Sequence, residues 1–387
     1  MNILVINSGS SSIKFKLFSF PEEKLILKGM VDRVGSADAY FTFSMDKKEE
    51  KNIVGAEDHH KAFSIVLGRI HQENLAIAAI GHRFVHGGKY STAMLISPEV
   101  KDYLKTTFDL APLHNPYHYE GIKSCEDLFP KIPQVAVFDT AYYAQLPEHV
   151  YLYGLPYKYY LKYGIRKYGF HGTSHNYICL ETEKILGREM KDLRIISCHL
   201  GNGSSLTATR NCKAVETSMG FTPLEGLLMG TRSGDLDPAA VLYIMVKEEL
   251  SPSQADSLLN RQSGIYGISG ISNDMREILR EMKEGNDRAK LAFKVYCHRI
   301  KKYIGAYYAI LEGLDALVFT AGIGENAPLI REEVCRGLKH LGLVLDRKKN
   351  EKNQPGIISD PESKAKILVI PTNEELMIAR LVEEKAG

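Results

Sequence analysis

Cysteine is scarce in this chain, and its residues are widely scattered. The six cysteines stand at positions 125, 179, 198, 212, 297 and 335 and include no C-x-x-C pair. A cysteine-based zinc cage and a disulfide framework are therefore disfavoured, and a reducing compartment fits best. The first apolar run, at 3–6, is too short for a leader or a membrane span and is followed at once by Asn and Ser. We expect a cytoplasmic protein.

A large net charge is also missing. The chain has 49 Lys and Arg against 47 Asp and Glu, which leaves a formal net charge of +2. This balance gives no electrostatic support for nucleic acid or a membrane as the main partner. Tyrosines alternate with basic residues between 151 and 168. Because this stretch leads directly into a histidine-containing motif, we interpret it as a packed or subunit-facing surface.

The composition that remains is that of an ordinary globular protein. With 387 residues, of which 44% are hydrophobic and 25% charged, two domains are more probable than one. The clearest helix follows Asn286, where apolar residues recur at three- and four-residue spacing up to 311 and predict a buried face. Short strand-like runs alternate with helical segments and indicate an α/β fold. These runs are 3–6, 77–80, 135–138, 195–198, 317–320 and 367–370.

The common nucleotide-binding glycine motifs are absent. There is no G-x-x-x-x-G-K-[ST] loop, and the glycines at 322–326 lack the third glycine of the dinucleotide fingerprint. Instead, ILVINSGSSS at 3–12 is echoed by IISCHLGNGSS at 195–205, each a strand, a small-residue turn and a second strand-like segment. The echo predicts a duplicated domain with a phosphate-binding hairpin in each copy. A plain hairpin is the alternative for either copy.

Seven motifs together resemble the acetate kinase family, in the family's order and over the whole chain. They are NSGSSSIKF (7–15), GHRFVHGG (81–88), FDT (138–140), YGFHGTSH (168–175), HLGNG (199–203), GTRSGDLDP (230–238) and AGIGEN (321–326). This family is grouped with actin, sugar kinases and heat-shock ATPases. The resemblance implies two ribonuclease-H-like (actin-like ATPase) domains with a nucleotide cleft between them, and a homodimer. We expect the first domain at 1–145 plus a C-terminal helix at 375–387, and the second, nucleotide-binding domain at 146–374.

The activity implied by this resemblance is a reversible phosphoryl transfer from ATP to acetate, giving acetyl phosphate and ADP by direct in-line transfer. The implied cofactor is Mg²⁺, with Mn²⁺ as an alternative. Such a transfer needs much positive charge, because both reactants and the moving group are anionic. A carboxylate substrate arrives ionised, so the chemistry requires no base.

Four residues match the family's catalytic positions. Arg83 and Arg232 would hold the acyl substrate and the phosphoryl group, and the alternative is two surface arginines. His171 would donate a hydrogen bond to the phosphoryl group, and a structural histidine is the alternative. Asp139 follows the strand at 135–138, where open α/β sheets present functional groups. It would orient an arginine or the metal shell, act as a base, or only cap a helix.

Further residues match the family's binding positions. The pocket for the methyl group of the acid would be formed by Val85, Leu113, Phe170 and Pro223. Asn7 and Glu374 would belong to the magnesium shell, as hard oxygen ligands. The nucleotide would contact Ser10, Ser12, Lys14, His199, Leu200, Gly201, Asn202, Gly203, Asp274, Met275, Arg276, Gly322, Ile323, Gly324, Glu325 and Asn326.

Two of these segments also contain helix-start signals. Residues 372–375 fit a capping box in which Glu375 reaches back, and Glu374 then merely favours the helix dipole. Thr173 or Ser174 is predicted to cap the helix that follows His171.

Three other functions compete with an acetate kinase. The first is a kinase for propionate or another short-chain fatty acid, although valine at position 85 favours acetate. The second is an actin-like or chaperone-like ATPase without an acyl acceptor, and the third is a regulator that binds a nucleotide without catalysis.

Overall fold

The computed structural model describes residues 1–9, 11–46, 48–111, 114–189, 191 and 193–387. The chain divides into two compact units: unit 1 combines Met1–Ala144 with Asn373–Gly387, and unit 2 is Gln145–Thr372. Unit 1 ends one residue before the predicted 145 and resumes two residues before the predicted 375, at Asn373, the cap of the last helix. Glu374 therefore belongs to unit 1. None of the helices in the described ranges is both long and apolar enough to cross a membrane.

Unit 1 contains a sheet with the strand order β5-β4-β3-β2-β1-β6-β8-β7. Its strands are β1 (Asn2–Ser8), β2 (Ser12–Ser19), β3 (Lys24–Asp32), β4 (Tyr40–Met45), β5 (Lys48–Ile53), β6 (Ala79–Phe84), β7 (Met94–Leu95) and β8 (Gln134–Phe138). Its α-helices are α1 (His59–Gln72), α2 (Pro98–Lys105), α3 (Asn115–Leu128) and the C-terminal α15 (Glu374–Ala386), with 3-10 helices at Phe108–Leu110 and Asp139–Tyr143.

The central strand of unit 1 is apolar along its length because both of its faces are covered. Leu4 and Ile6 join a core cluster with residues of α1, and α15 packs on β1, β6 and β8. Gly81 in β6 permits this close approach, since a Cβ there would lie 2.7 Å from Cγ2 of Val382 and 2.9 Å from Cγ2 of Ile378. The helix that closes the chain is thus built into the first unit.

Unit 2 contains a sheet with the strand order β11-β10-β9-β12-β14-β13. Its strands are β9 (Arg194–Leu200), β10 (Ser204–Arg210), β11 (Lys213–Thr217), β12 (Ala316–Thr320), β13 (Gly356–Ile357) and β14 (Lys366–Val369). Its helices are α4 (Glu148–Tyr151), α5 (Lys158–Tyr163), α6 (Gly172–Leu186), α7 (Pro238–Lys247), α8 (Pro252–Arg261), α9 (Gly264–Ser269), α10 (Met275–Lys283), α11 (Asp287–Leu311), α12 (Ala321–Asn326), α13 (Pro328–Cys335) and α14 (Arg347–Glu351), with a 3-10 helix at Leu338–Leu341.

The two sheets share one five-strand arrangement. In unit 1, β3, β2 and β1 are antiparallel neighbours, and β6 and β8 continue from β1 in parallel. In unit 2, β11, β10 and β9 are antiparallel neighbours, and β12 and β14 continue from β9 in parallel. The predicted α/β fold with duplicated ribonuclease-H-like domains is confirmed. Each copy of the sequence echo forms the hairpin of the first two strands.

The longest helix covers one face of the second sheet. α11 begins after Asn286, whose side chain accepts hydrogen bonds from the amides of Arg288 and Ala289. Its predicted apolar stripe is buried in the main core of unit 2. The opposite face of this sheet packs against α6 in a separate apolar cluster.

In unit 1, the strand predicted at 77–80 starts at Ala79 and continues beyond the predicted end, so that it includes Arg83.

Candidate functional site

Three predicted residues of unit 1 lie at one edge of its sheet. Asn7 is near the end of β1, Arg83 is near the end of β6, and Asp139 directly follows β8. These strands are parallel, so their carboxyl ends share an edge, which is where open α/β sheets present functional groups. The structure brings the three side chains together there.

The Arg83 guanidinium is the centre of this group. Its Nη2 and Nε donate to Oδ2 of Asp139 at 2.7 and 3.1 Å, and its Nη1 donates to Oδ1 of Asn7 at 3.4 Å. Oε2 of Glu374 lies 3.7 Å from the same Nη1. Burial alone would lower the pKa of Arg83, but Asp139 and Glu374 raise it above its ordinary value. The arginine is therefore charged and fixed in orientation, with both bonds of its fork directed to one carboxylate oxygen.

The start of α15 places two carboxylates beside this arginine. Burial raises the pKa of Glu374, Arg83 opposes that rise, and Asp139 and Glu375 add to it. Burial would also raise the pKa of Glu375, but the Lys16 ammonium, 2.9 Å from Oε2, holds it below its ordinary value. Of these two carboxylates, Glu374 would be stabilised more by an additional cation, because its pKa is raised and that of Glu375 is lowered.

The predicted capping box at 372–375 is wrong. The helix begins at Glu374, its cap is Asn373, and the side chain of Asn373 accepts a hydrogen bond from the amide of Leu376. Glu375 contacts Lys16 instead of reaching back to the backbone. The helix-start function is thus supplied by a residue other than Glu374.

The β1–β2 turn carries the other predicted groups of unit 1. The amide of Gly9 donates to the carbonyl of Ser12 at 2.7 Å, and Nε2 of His59 lies 2.8 Å from the carbonyl oxygen of Gly9. Lys14 is exposed and lies opposite Asn7 in the register of β1 and β2. The predicted contact at Ser10 lies outside the described residues.

In unit 2, His171 stands at the start of α6. It is the residue before the helix, has a left-handed φ of +56° and makes no side-chain cap. The predicted caps Thr173 and Ser174 are wrong, because the helix starts at Gly172 and both residues lie inside its first turn. The His171 ring stacks on His199 with centroids 4.2 Å apart.

Hydrogen bonds hold both of these stacked rings from one side. Nδ1 of His171 lies 2.9 Å from Oγ of Ser205, and Nδ1 of His199 lies 2.8 Å from Oγ of Ser174. Ser174 also lies 2.8 Å from Oγ1 of Thr372. Each imidazole is therefore oriented by a hydroxyl group.

Arg232 reaches the same turn as His171. A Cβ on Gly203 would lie 3.5 Å from Nη1 of Arg232, 3.4 Å from Cε1 of His171 and 3.5 Å from its Nε2. The guanidinium donates to the carbonyl of Pro223 at 3.4 Å. Burial lowers the pKa of Arg232, and no carboxylate among the described residues offsets this effect. Arg232 is half-buried, and such a cation without an ionic partner among the described residues is suited to an anionic ligand.

The loop that carries Arg232 approaches the turn closely. The amide of Gly230 donates to the carbonyl of Asn202 at 3.0 Å. A Cβ on Gly230 would lie only 1.9 Å from Oδ1 of Asn202. A larger residue at 230 would therefore displace the side chain of Asn202 from its present position.

A cavity of about 650 Å³ lies next to this turn in unit 2. Asp274 caps α10 through the amide of Arg276 and also pairs with the guanidinium of that residue. Eight predicted nucleotide-binding residues line the cavity: Gly201, Asn202, Asp274, Met275, Arg276, Gly322, Ile323 and Asn326. Five others are not part of its lining: His199, Leu200, Gly203, Gly324 and Glu325.

The predicted acyl-pocket residues are spread over both units. Val85 is buried in unit 1 just after β6, and Phe170 and Pro223 belong to unit 2. The Pro223 carbonyl contacts Arg232, as described above. Leu113 lies outside the described residues.

Several residues around these groups were not predicted from the sequence. Asn273, Leu279 and Ala327 also line the cavity, and Asn273 donates to Oδ1 of Asn202 at 3.1 Å. Ser205 lies inside the repeated hairpin, so its place opposite His199 in the β9–β10 pairing was within reach of the sequence pattern.

Comparison with known proteins gives a consistent result. A model described as the Acetokinase family matches residues 2–380. The acetate kinase of Dictyoglomus thermophilum is 50% identical over 390 residues, which cover 98% of this chain and 98% of that protein. The crystal structure of acetate kinase from Porphyromonas gingivalis is 42% identical, covers all of both chains and has a TM-score of 0.93. A propionate kinase from Francisella tularensis is 40% identical over 99% of both chains, with a TM-score of 0.94.

Proposed function

The chain belongs to the Acetokinase family, and we propose that it transfers the γ-phosphoryl group of ATP to acetate, giving acetyl phosphate and ADP. The predicted family and enzyme class, a kinase with a carboxylate acceptor, are confirmed by this membership. The reaction is reversible and proceeds by direct in-line transfer. The assignment of individual residues below is our own proposal.

The observation that carries this proposal is the meeting of His171 and Arg232 at Gly203. Two nitrogen-bearing side chains, one of them a cation without an ionic partner among the described residues, converge on the glycine turn at 203. A phosphoryl group in transfer spreads negative charge over its equatorial oxygens, and fixed donors stabilise that charge. We assign the transferring phosphoryl group to this part of unit 2.

The acid is assigned to unit 1. Arg83 is charged and oriented by Asp139, so its remaining surface can hold a carboxylate. Asp139 receives both bonds of the guanidinium fork on one oxygen, which supports an orienting role rather than that of a base. Val85 would limit the alkyl chain of the acid.

Magnesium fits the oxygen donors around Arg83. Asn7 offers an amide oxygen and Glu374 a carboxylate whose pKa is raised by burial. Mg²⁺ usually takes one or two protein oxygens and completes its shell with water and phosphate. When bound, the ion would neutralise charge on the phosphate oxygens, and Mn²⁺ could replace it.

The nucleotide is assigned to the cavity of unit 2. Its volume of about 650 Å³ suits an adenosine-sized ligand. The β9–β10 turn supplies Gly201 and Asn202 at its border. In unit 1, Ser12 and Lys14 would contact the phosphates from the β1–β2 hairpin.

An acceptor screen tests the proposed reaction. ADP release is measured with acetate, propionate, butyrate and no acid, at fixed MgATP. We expect release to depend on acetate. Equal release without acid would indicate an ATPase, no release with any acid would favour a nucleotide-binding regulator, and a higher specificity constant for propionate would establish the other short-chain kinase. The measurement with propionate is necessary because the chain is similar to a solved propionate kinase.

We also propose a homodimer, as the family resemblance implies. No residue of α7 is buried, although its sequence is PAAVLYIMVK. Leu242, Tyr243 and Val246 are 64%, 65% and 77% exposed, and such apolar patches mark protein interfaces. Light scattering should give twice the chain mass for the wild type and a lower mass for Leu242→Glu. Leu95→Glu, at an exposed leucine of unit 1, is the matched control. A monomeric wild type would refute the homodimer.

The cytoplasm stays the proposed compartment. None of the six cysteines, all of which lie among the described residues, forms a disulfide, and five of them are buried. Cysteines in the thiol form suit a reducing environment.

A further inference from the structure

A continuous hydrogen-bonded chain leads from His171 into the interior of unit 2. Oγ of Ser205 lies 2.9 Å from Nδ1 of His171 and 2.7 Å from Nε2 of His175. On the other side of His175, Nδ1 lies 2.6 Å from Oγ of Ser197. Ser197, Ser205 and His175 are buried, so each of their protons needs an acceptor close by.

The proton of Ser197 decides the direction of this chain. Its hydroxyl group has two acceptors within reach: Nδ1 of His175 at 2.6 Å and the carbonyl oxygen of Thr207 at 3.5 Å. Only the shorter distance is that of a good hydrogen bond. Ser197 therefore donates to His175. Because burial lowers the pKa of His175 well below its usual value, with His199 adding to the effect, the ring is neutral and carries its proton on Nε2.

The remaining bonds follow from this direction. Nε2–H of His175 donates to Oγ of Ser205, and the Ser205 hydroxyl group donates to Nδ1 of His171. We propose that this chain holds His171 in the tautomer with its proton on Nε2, and that Ser205 and His175 are positioning residues for the reaction. This rests on the proposed function, in which His171 donates a hydrogen bond to the transferring phosphoryl group.

If these hydrogen bonds ran in the opposite direction, His171 would present an acceptor instead of a donor on the side of the β9–β10 turn. His171 would then donate from Nδ1 to Ser205 and present the lone pair of Nε2 on the side of Gly203, where a negative phosphoryl oxygen would be repelled. Protonation of Nδ1 would require the hydroxyl protons of the whole chain to turn round. The chain thus favours an Nε2–H of His171 directed to the place that Arg232 also reaches.

Replacing Ser205 tests the positioning role through kinetics. For Ser205→Ala we expect kcat to fall roughly 10- to 100-fold, the usual cost of losing a group that orients a functional histidine, with the KM for ATP unchanged. Ser205→Thr keeps the hydroxyl group and should restore most of the rate. Thr182→Val is the control, because it removes an equally buried hydroxyl group of α6 that donates to the carbonyl of Ile178 at 2.6 Å.

Nitrogen NMR of histidine-labelled protein reads the tautomer directly. The His171 signals are assigned by their loss in His171→Gln, and we expect a protonated Nε2 and an unprotonated Nδ1 in the wild type. Ser205→Ala should give a mixture of tautomers. A wild-type His171 protonated on Nδ1 would overturn the proposal, and so would a full rate and an unchanged spectrum in Ser205→Ala. The wild-type spectrum needs no turnover, and its assignment requires only that His171→Gln folds, so it decides the tautomer even if the acceptor screen fails.

Discussion

Glu374→Gln separates metal binding from helix formation at the start of α15. The Glu374 carboxylate has a pKa raised by burial, and its charge is offset only partly by Arg83 at 3.7 Å. Glutamine keeps the shape and the carbonyl oxygen but removes the charge. We expect the free Mg²⁺ concentration for half-maximal activity to rise about tenfold or more, because even the loss of a supporting ligand partner costs about 10- to 100-fold in metal affinity.

Without metal, the same substitution should not destabilise the protein at neutral pH. A carboxyl group whose folded-state pKa is raised contributes stability below its unfolded pKa, and that contribution is lost as the pH rises through the folded pKa. Glutamine does not ionise. Glu374→Gln should therefore be at least as stable as the wild type at neutral pH, and the difference should vanish below about pH 4, where both side chains are neutral.

Asn373→Ala is the matched control at the neighbouring position. Its side chain accepts from the amide of Leu376 at 3.3 Å. Loss of such a cap costs about 0.5–2 kcal/mol, and the long bond places this one near 1 kcal/mol. A change of that size lowers Tm by about 2–4 °C in a cooperative unit of about 150–250 residues, a range that includes unit 1 with Met1–Ala144 and Asn373–Gly387. The Mg²⁺ requirement should stay at the wild-type value.

The assay combines ADP release at fixed MgATP, with free Mg²⁺ varied, and thermal melting in a chelator. Both variants and the wild type are measured side by side. The metal assignment would be refuted if Glu374→Gln kept the wild-type Mg²⁺ dependence and melted at a lower temperature.

Three further changes test the remaining assignments. Arg232→Ala should lower turnover by roughly 10²- to 10⁵-fold, and Arg232→Lys should also be severely impaired because a point charge does not replace a planar fork; near-normal turnover in a folded variant would contradict this. Val85→Ala should raise the propionate-to-acetate ratio of specificity constants about tenfold or more, mainly through a higher KM for acetate, and an unchanged ratio would remove Val85 from the acyl pocket. Gly230→Ala should raise the KM for ATP, since its Cβ would lie 1.9 Å from Oδ1 of Asn202 and displace that side chain, which lines the cavity; an unchanged KM would contradict that role.

The central strands were predictable because burial on two faces makes them continuously apolar. The edge strands were not. β5 reads KEEKNI, and every one of its residues is exposed. It is extended because it pairs with β4 over its whole length, from Lys48 opposite Met45 to Ile53 opposite Tyr40. The sequence of β5 has no alternation of apolar residues that would predict a strand. The strand forms because it pairs with β4.

Helix starts were predicted less well than helices. At α6 a residue with a positive φ, His171, stands where a serine or threonine cap was expected. At α15 the cap is one residue beyond the predicted threonine. Ser, Thr, Asn and Asp all signal a cap, and a segment that contains several of them leaves the starting residue undecided.

The grouping of Arg83 with Asp139 was within reach of the sequence, because both follow apolar runs that predict neighbouring parallel strands. The hydrogen bond from Ser205 to His171 was not. It joins a strand to a residue before a helix, and its existence depends on a backbone conformation that the sequence around His171 does not announce. Contacts of this kind require coordinates.

The two hairpins show how one fold supports two kinds of chemistry. Asn7 is the last residue but one of β1 and pairs with Lys14, while His199 is the last residue but one of β9 and pairs with Ser205. The equivalent positions thus hold an amide oxygen and an ammonium group in unit 1, and an imidazole and a hydroxyl group in unit 2. The strand order is the same on both sides, so the difference arises from side chains alone. In unit 1 this pair would offer an oxygen and a cation to a metal and its anions, as we propose. In unit 2 Ser205 is bonded to His171 and His199 stacks on that ring, so this pair orients the proposed phosphoryl donor instead.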